Sequence, residues 1–173
     1  MRLLWAGRVL AVIALLGLTV VTTSADEGTV SARAKLSGFQ ENLPKLTNGA
    51  GTFTARINGG TLSYTLTYSG LSSDAFMAHI HFAQPGVNGG VFLWLCGSAS
   101  QPGPAGTPTC PATGGTVSGT ASSAAIQSLS AQNLSAGDFN GALRILRSGD
   151  AYVNVHTINY GGGEIRGQVK TDD

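Results

Sequence analysis

Alternation of apolar and polar residues is the feature that most constrains how this chain can fold. Between residues 30 and 37, every second residue is apolar, and the same period of two recurs over 52–57 and 62–68. Successive side chains of a strand point to opposite faces, so this period predicts half-buried β-strands. Asn58-Gly59-Gly60 separates the second and third segments as a turn, which predicts a hairpin.

The rest of the chain supplies more strands and one helix. Further strands are predicted over 76–82, 91–95 and 116–120, followed by a final hairpin of 151–157 and 164–170. A helix is predicted because four apolar residues have helical spacing, with Ser135 as its N-cap and Gly149 as its end; the four are Phe139, Ala142, Leu143 and Leu146. A shorter helical piece is expected over 124–129.

About eight short strands separated by Gly-rich turns favour an all-β fold. We expect an antiparallel β-sandwich with Greek-key, immunoglobulin-like connections and one or two short helices in a crossover. The chain has 173 residues, which is the length of one domain.

The N-terminus has the composition of a secretory signal peptide over residues 1–25. Basic residues precede an apolar run over 9–21, and Thr23-Ser24-Ala25 supplies small residues before a cut ahead of Asp26. A retained membrane anchor is the alternative, although the run is short for a bilayer span. We therefore expect a domain over 26–173, secreted or periplasmic or on the cell surface, with no membrane span after signal removal.

Charge excludes nucleic acid as a partner. Without Arg2 and Arg8, the exported chain has eight basic and nine acidic residues, and the basic residues are spread singly. Nucleic-acid binding requires Lys and Arg clustered on one face. An extracellular or periplasmic ligand or protein is the expected kind of partner.

The two cysteines, Cys96 and Cys110, predict a disulfide, because an isolated pair oxidises after export. The enclosed segment is rich in proline and glycine and gains order from such a link. A reactive or metal-binding thiol pair is the alternative, but the spacing is far from Cys-x-x-Cys.

The three histidines are the best candidates for chemistry. His79 and His81 flank Ile80 in one strand, so both point away from the face that carries Ile80. In the last hairpin, His156 lies on the outer face too. If the strands are neighbours, the three imidazoles form one surface site for Cu(II) or Zn(II), whereas softer ions that prefer thiolate are disfavoured because both cysteines are committed to the disulfide. The alternative is that the histidines only hydrogen-bond loops folded over the sheet.

The final hairpin also carries polar residues that are predicted to be structural. Asn154, Glu164 and Arg166 share its outer face with His156 and are expected to form a hydrogen-bonded network. Gly163 is expected to have a positive φ at the turn, and Gly167 to point inward where a side chain would not fit.

Two blocks of this sequence resemble the signature blocks of the CHRD domain, named for chordin. The first is Ala78-His79-Ile80-His81 with Gly86 to Val91, and the second is Ala151 to Thr157 with Gly163 to Gln168. The resemblance covers about 30–169 and implies an immunoglobulin-like sandwich with limited similarity to copper/zinc superoxide dismutases. It brings no established activity. Tyr160-Gly161-Gly162 stands where the family usually has a proline, which implies a looser tip.

Three functions remain for an exported CHRD-like domain. The first is a non-catalytic binding module, because no nucleophile elbow, catalytic triad or phosphate-binding loop can be assembled. The second is a protein that binds one copper or zinc ion through His79, His81 and His156. The third is a superoxide dismutase, which the count of three histidines opposes, because that enzyme's two metals need more.

Overall fold

A computed structural model describes residues 29–172. The predicted signal peptide over residues 1–25 lies outside the described residues. Within them, nine strands and one α-helix form, together with short 3-10 turns at Gly38–Gln40, Ser123–Ala125 and Ser130–Gln132. The elements are β1 (Val30–Ser37), β2 (Ala50–Asn58), β3 (Thr61–Ser69), β4 (Ala75–Phe82), β5 (Gly90–Cys96), β6 (Gly115–Ala121), α1 (Phe139–Ser148), β7 (Ala151–Thr157), β8 (Ile165–Gln168) and β9 (Lys170–Asp172).

The strands follow the order β5-β4-β7-β8-β1-β2-β3-β6, with β9 beside β1. All neighbours are antiparallel. β1 and β8 join two four-stranded halves through the residue pair Ser37–Arg166. At the other side, the Tyr64 hydroxyl of β3, the neighbour of the edge strand β6, donates to the Leu95 carbonyl of the edge strand β5 at 2.7 Å, so the sheet is nearly closed. The predicted all-β antiparallel class is confirmed.

The core lies between the two halves. The apolar residues of the alternating pattern in β1, β2 and β3 are buried, and their polar neighbours are mostly exposed. These side chains pack against those of β4, β5 and β7, among them Ile80, Leu93 and Val153, which have no exposed surface or almost none. Apolar burial of this kind is the main contribution to stability.

The helix occurs in the β6–β7 crossover, but it starts at a different cap. Asp138, rather than Ser135, is the N-cap, and its carboxylate accepts from the Gly141 N–H at 2.8 Å. Gly137 has φ +79°, which prevents a helix from starting earlier. Gly149 ends the helix in the left-handed region, as predicted. The shorter helical piece expected over 124–129 is reduced to the 3-10 turn at Ser123–Ala125.

The predicted disulfide between Cys96 and Cys110 is present. It joins the end of β5 to the Pro-rich segment, beside a backbone bridge between Gly97 and Thr109. No helix among residues 29–172 is long and apolar enough to cross a membrane.

Candidate metal centre

Strand pairing between β4 and β7 brings the three histidines together. His79 lies opposite Asn154, His81 lies opposite Tyr152, and His156 lies opposite Met77. Paired residues of adjacent strands point to the same face, and residues two apart in one strand do as well. All three imidazoles therefore project from one face of the β4–β7 pair, on the side away from Ile80.

That face is not exposed to solvent. His79, His81 and His156 are only 2%, 7% and 6% exposed, so the predicted surface location was wrong. The alternation correctly separated the two faces of the strands, but both faces are covered.

Three loops cover the histidine face. Arg166 Nη2 donates to the Gln84 carbonyl at 3.0 Å and Gln168 Nε2 to the Ala83 carbonyl at 2.9 Å, which holds the 83–90 loop over the sheet. The 158–163 loop and the 38–47 segment cover the remainder, and Glu41 of the latter accepts from Asn154 Nδ2 at 2.6 Å. The histidines are thus enclosed by loops from distant parts of the chain.

The ring nitrogens have the spacing of metal ligands. His79 Nδ1 is 3.3 Å from His156 Nε2, and one ligand atom from each of the three histidines lies within 4.8 Å of the others. Nitrogens at 2.0–2.1 Å from one ion are separated by about 3.3 to 3.6 Å in tetrahedral or trigonal geometry. The first separation matches this range, and the other two are no longer than 4.8 Å.

Two backbone carbonyls orient the rings of His81 and His156. His81 Nδ1 lies 3.0 Å from the Gly89 carbonyl oxygen, and His156 Nδ1 lies 3.0 Å from the Gly161 carbonyl oxygen. A carbonyl only accepts, so each Nδ1 carries the proton and each Nε2 carries a lone pair. Histidines that bind metals are commonly oriented by such an acceptor on the ring nitrogen that does not touch the ion.

Two nitrogens of the cluster lack a hydrogen-bond partner among the described residues. His79 Nε2 and His81 Nε2 are both buried and unpaired. A buried polar atom without a partner costs about 1–3 kcal/mol, so such atoms are rare in folded proteins. Arg166 Nη1 is the third such atom among the described residues, so two of the three belong to the histidine cluster.

All three imidazoles are held in the neutral form that binds metal. Burial lowers the pKa of His79 to about 2, with further lowering by His156 and His81. Burial lowers the pKa of His81 to about 4, although its bond to the Gly89 carbonyl acts in the opposite direction. Burial lowers the pKa of His156 as well. Protons therefore do not compete with an ion at neutral pH.

Aromatic rings form the walls of the cluster. The Trp94 ring meets the His79 ring edge-on, with centroids 4.2 Å apart. The Tyr152 ring stacks on the His81 ring, with centroids 4.6 Å apart. The Arg166 guanidinium lies over the Tyr152 ring, 3.4 Å from its centroid. Trp94 and Tyr152 were not predicted as site residues. Tyr152 was recognisable, because it lies two residues from Asn154 and therefore on the same outer face of the strand.

Glu164, which directly precedes β8, forms a second polar centre in the β7–β8 hairpin. Its carboxylate accepts from the Thr47 hydroxyl at 2.5 Å, the Ser72 N–H at 2.9 Å, the Ser72 hydroxyl at 2.8 Å and the Thr157 hydroxyl at 2.7 Å. Burial acts to raise the pKa of Glu164, but these four hydrogen bonds outweigh burial and lower it. We call Glu164 with Thr47, Ser72 and Thr157 the carboxylate centre.

The residues proposed as one polar network have separate partners. Among the described residues, no hydrogen bond joins any two of Asn154, Glu164 and Arg166. Asn154 Nδ2 donates to Glu41 and to the Ile165 carbonyl, whereas Arg166 donates to Gln84. Each therefore fastens a different segment to the hairpin.

Backbone geometry and close packing explain why the two predicted structural positions of the hairpin, Gly163 and Gly167, are glycine. Gly163 has φ +118°, as predicted, and a Cβ there would lie 2.5 Å from Asn154 Oδ1. A Cβ at Gly167 would collide with the Lys35 backbone carbonyl of β1, which is the adjacent strand rather than the opposite half of the sheet.

Comparison with known proteins identifies a family but no individual relative. A family model described as the CHRD domain matches residues 32–169. No curated protein and no solved structure matches the chain.

Proposed function

The chain belongs to the CHRD domain family, and from this premise we propose that it is an exported binding module that holds one copper or zinc ion through His79, His81 and His156. The family supports a binding module, and the histidine cluster supplies the chemistry of the ligand. Export is supported by the signal-like N-terminus and by the disulfide.

One observation carries the proposal: two buried, unpaired histidine nitrogens lie in a cluster whose ligand atoms are within 4.8 Å of one another. If the histidines only hydrogen-bonded the covering loops, each ring would use both nitrogens or leave one in solvent. Instead, the carbonyls of Gly89 and Gly161 each occupy the Nδ1 of one ring. The Nε2 lone pair of His81 has no partner, and that of His156 faces His79 Nδ1 at 3.3 Å, within the cluster rather than towards a loop.

The proposed role is binding rather than catalysis. Three histidines suit one mononuclear site, which opposes a two-metal dismutase. The enclosing loops restrict access by a substrate to the cluster. Addition of copper to the purified protein should therefore give no superoxide dismutase activity above that of free copper.

Isothermal calorimetry on metal-stripped protein tests the proposal. Copper or zinc should bind with a stoichiometry of one ion per chain, and His81→Ala should abolish binding. Thr67→Ala, on the exposed face of β3, is the matched control and should bind as the wild type does. Copper should also quench the fluorescence of Trp94, because its ring contacts His79. Trp94 is the only tryptophan in residues 26–173, so the emission of the exported protein reports on this ring.

Absence of saturable binding by copper and zinc would overturn the proposal. Equal binding by His81→Ala and the wild type would overturn it too, because the ion would then lie elsewhere. A folded His81→Ala variant is verified by its far-UV circular dichroism spectrum.

Docking of an extracellular protein is a second candidate function, favoured by exposed apolar side chains on the covering loops. Leu43 is 80% exposed and Leu46 is 89% exposed, and the others are Phe39, Val87 and Ile158. A protein partner cross-linked to the wild type should be lost from the double variant Leu43→Ser, Leu46→Ser, which should still bind copper. Equal cross-linking of both would contradict this role.

A further inference from the structure

The identity and oxidation state of the ion follow from the charges around the cluster. Within residues 29–172, the group of converging ligand atoms consists of three histidines, with no Asp, Glu or Cys. Both cysteines are in the disulfide. The nearby carboxylates accept hydrogen bonds from other groups. Glu164 accepts from Thr47, Ser72 and Thr157. Glu41 accepts from Asn154. Every available donor is therefore electrically neutral.

Burial without an anionic ligand penalises a divalent ion more than a monovalent one. The electrostatic cost of taking an ion out of water rises with the square of its charge, so a dication costs about four times as much as a monocation of equal size. Structural and catalytic zinc sites commonly offset this cost with thiolate or carboxylate ligands, or with a solvent-accessible water. The histidine cluster offers neither an anionic ligand nor solvent exposure at His79 Nε2 and His81 Nε2.

A fixed positive charge adds to this penalty. The Arg166 guanidinium lies 3.4 Å over the Tyr152 ring, and the same ring stacks on His81. Arg166 is 1% exposed, so solvent does not screen its charge, and the Glu41 carboxylate, which interacts with it electrostatically, offsets only part of that charge at the cluster. Repulsion between this charge and an ion beside His81 is twice as large for a dication.

The number of available ligands also favours a monovalent ion over a divalent one. Three protein donors leave a fourth position that zinc fills with water, and Cu(II) prefers tetragonal sites with more ligands. Cu(I) has a filled d shell and accepts low coordination numbers with neutral nitrogen donors. Thiolates are the strongest ligands of Cu(I), but imidazoles bind copper as well.

We propose that the histidine cluster is a Cu(I) site, in which three neutral imidazoles coordinate a monovalent ion and the buried Arg166 weakens the binding of dications. This inference rests on the proposed function, because it requires that the cluster binds metal. It adds the oxidation state and the residue that sets selectivity: His79, His81 and His156 are ligands, and Arg166 is a specificity residue that does not touch the ion.

Anaerobic competition titrations test the inference on the wild-type protein. Cu(I) is titrated against the chromophoric chelator bicinchoninate, and Cu(II) and Zn(II) are titrated against chelators of known affinity. We expect one Cu(I) per chain, bound at least about a hundredfold more tightly than Cu(II) and Zn(II). Affinity for Zn(II) or Cu(II) within about tenfold of that for Cu(I) overturns the inference and leaves the proposed function standing. Binding of none of the three ions overturns both.

Arg166→Gln tests the assigned role of the guanidinium. Removal of the charge should narrow the ratio of Cu(I) to Zn(II) affinity by about tenfold or more, chiefly through stronger Zn(II) binding. Arg56→Gln, which removes an exposed charge from β2, is the matched control and should leave the ratio unchanged. If the ratio of Cu(I) to Zn(II) affinity is unchanged in a folded Arg166→Gln variant, Arg166 does not set the selectivity and its assigned role is overturned. If that variant does not fold, the wild-type titrations still decide the oxidation state.

Discussion

The histidine cluster and the carboxylate centre are both buried polar groups to which the β7–β8 hairpin contributes, yet they differ in how their polar atoms find partners. Glu164 has four donors for its two oxygens, all supplied by the chain itself. The histidine cluster leaves two buried nitrogens unpaired. A polar group that the fold satisfies fully has a structural role, whereas a group left incomplete in a preorganised position indicates a ligand.

The largest expected effect comes from a change that disrupts both centres at once. Gly167→Val places a side chain against the Lys35 carbonyl and should separate β8 from β1, with a loss of more than about 3 kcal/mol in the free energy of unfolding. Urea unfolding measures the loss. Gly162→Ala is the control, because a Cβ there meets no atom within 4 Å. An unchanged urea midpoint for Gly167→Val would contradict the assigned packing.

Glu164→Ala should disrupt the carboxylate centre alone. It removes the acceptor of three side-chain hydroxyl bonds and one backbone bond, so we expect a loss of about 2–3 kcal/mol in the free energy of unfolding. Copper affinity of the folded protein should not change. Asp74→Ala, at an exposed carboxylate, is the control. A large loss of copper affinity in folded Glu164→Ala would show that the two centres are not independent.

His81→Phe should disrupt the histidine cluster alone. Phenylalanine keeps the stack on Tyr152 and removes the unpaired Nε2, but it leaves the Gly89 carbonyl without its donor. These effects oppose each other, so the metal-free stability should stay within about 1 kcal/mol of the wild type. Calorimetry should detect no copper binding. A stability loss as large as that of Glu164→Ala would assign the cluster a structural role instead.

The smallest expected effect is a pH dependence with opposite signs at two carboxyl groups. The pKa of Glu164 is below its ordinary 4.5, so its stabilisation is present above pH 4.5 and is lost as pH falls through the folded-state pKa. Burial raises the pKa of Glu41, so its ionisation destabilises the fold, and that penalty disappears as pH falls. Between pH 7 and pH 4, the loss of unfolding free energy should therefore be smaller in Glu164→Gln and larger in Glu41→Gln than in the wild type. Equal losses in all three proteins would contradict both assignments.

Much of the fold was predictable because its signals are local. Alternation in β1 to β3 predicted which side chains enter the core, the Asn58-Gly59-Gly60 turn predicted the hairpin, and helical spacing predicted α1. The helix cap was assigned three residues too early because Ser135 and Asp138 both satisfy the cap pattern. The positive φ of Gly137 distinguishes them, and the sequence contains no direct signal for that angle.

The candidate site was likewise predictable only where its features depend on local structure. Alternation placed each of His79, His81 and His156 on the outer face of its own strand, because the pleat of a strand fixes where each side chain points. It could not show that β4 and β7 are neighbours, or that loops from 38–47, 83–90 and 158–163 cover that face. The burial patterns show the difference: β2 alternates between exposed and buried residues, whereas every residue of β7 is buried. The direction of a side chain is set by its own backbone, but its burial depends on what packs over it, and only the tertiary structure decided that.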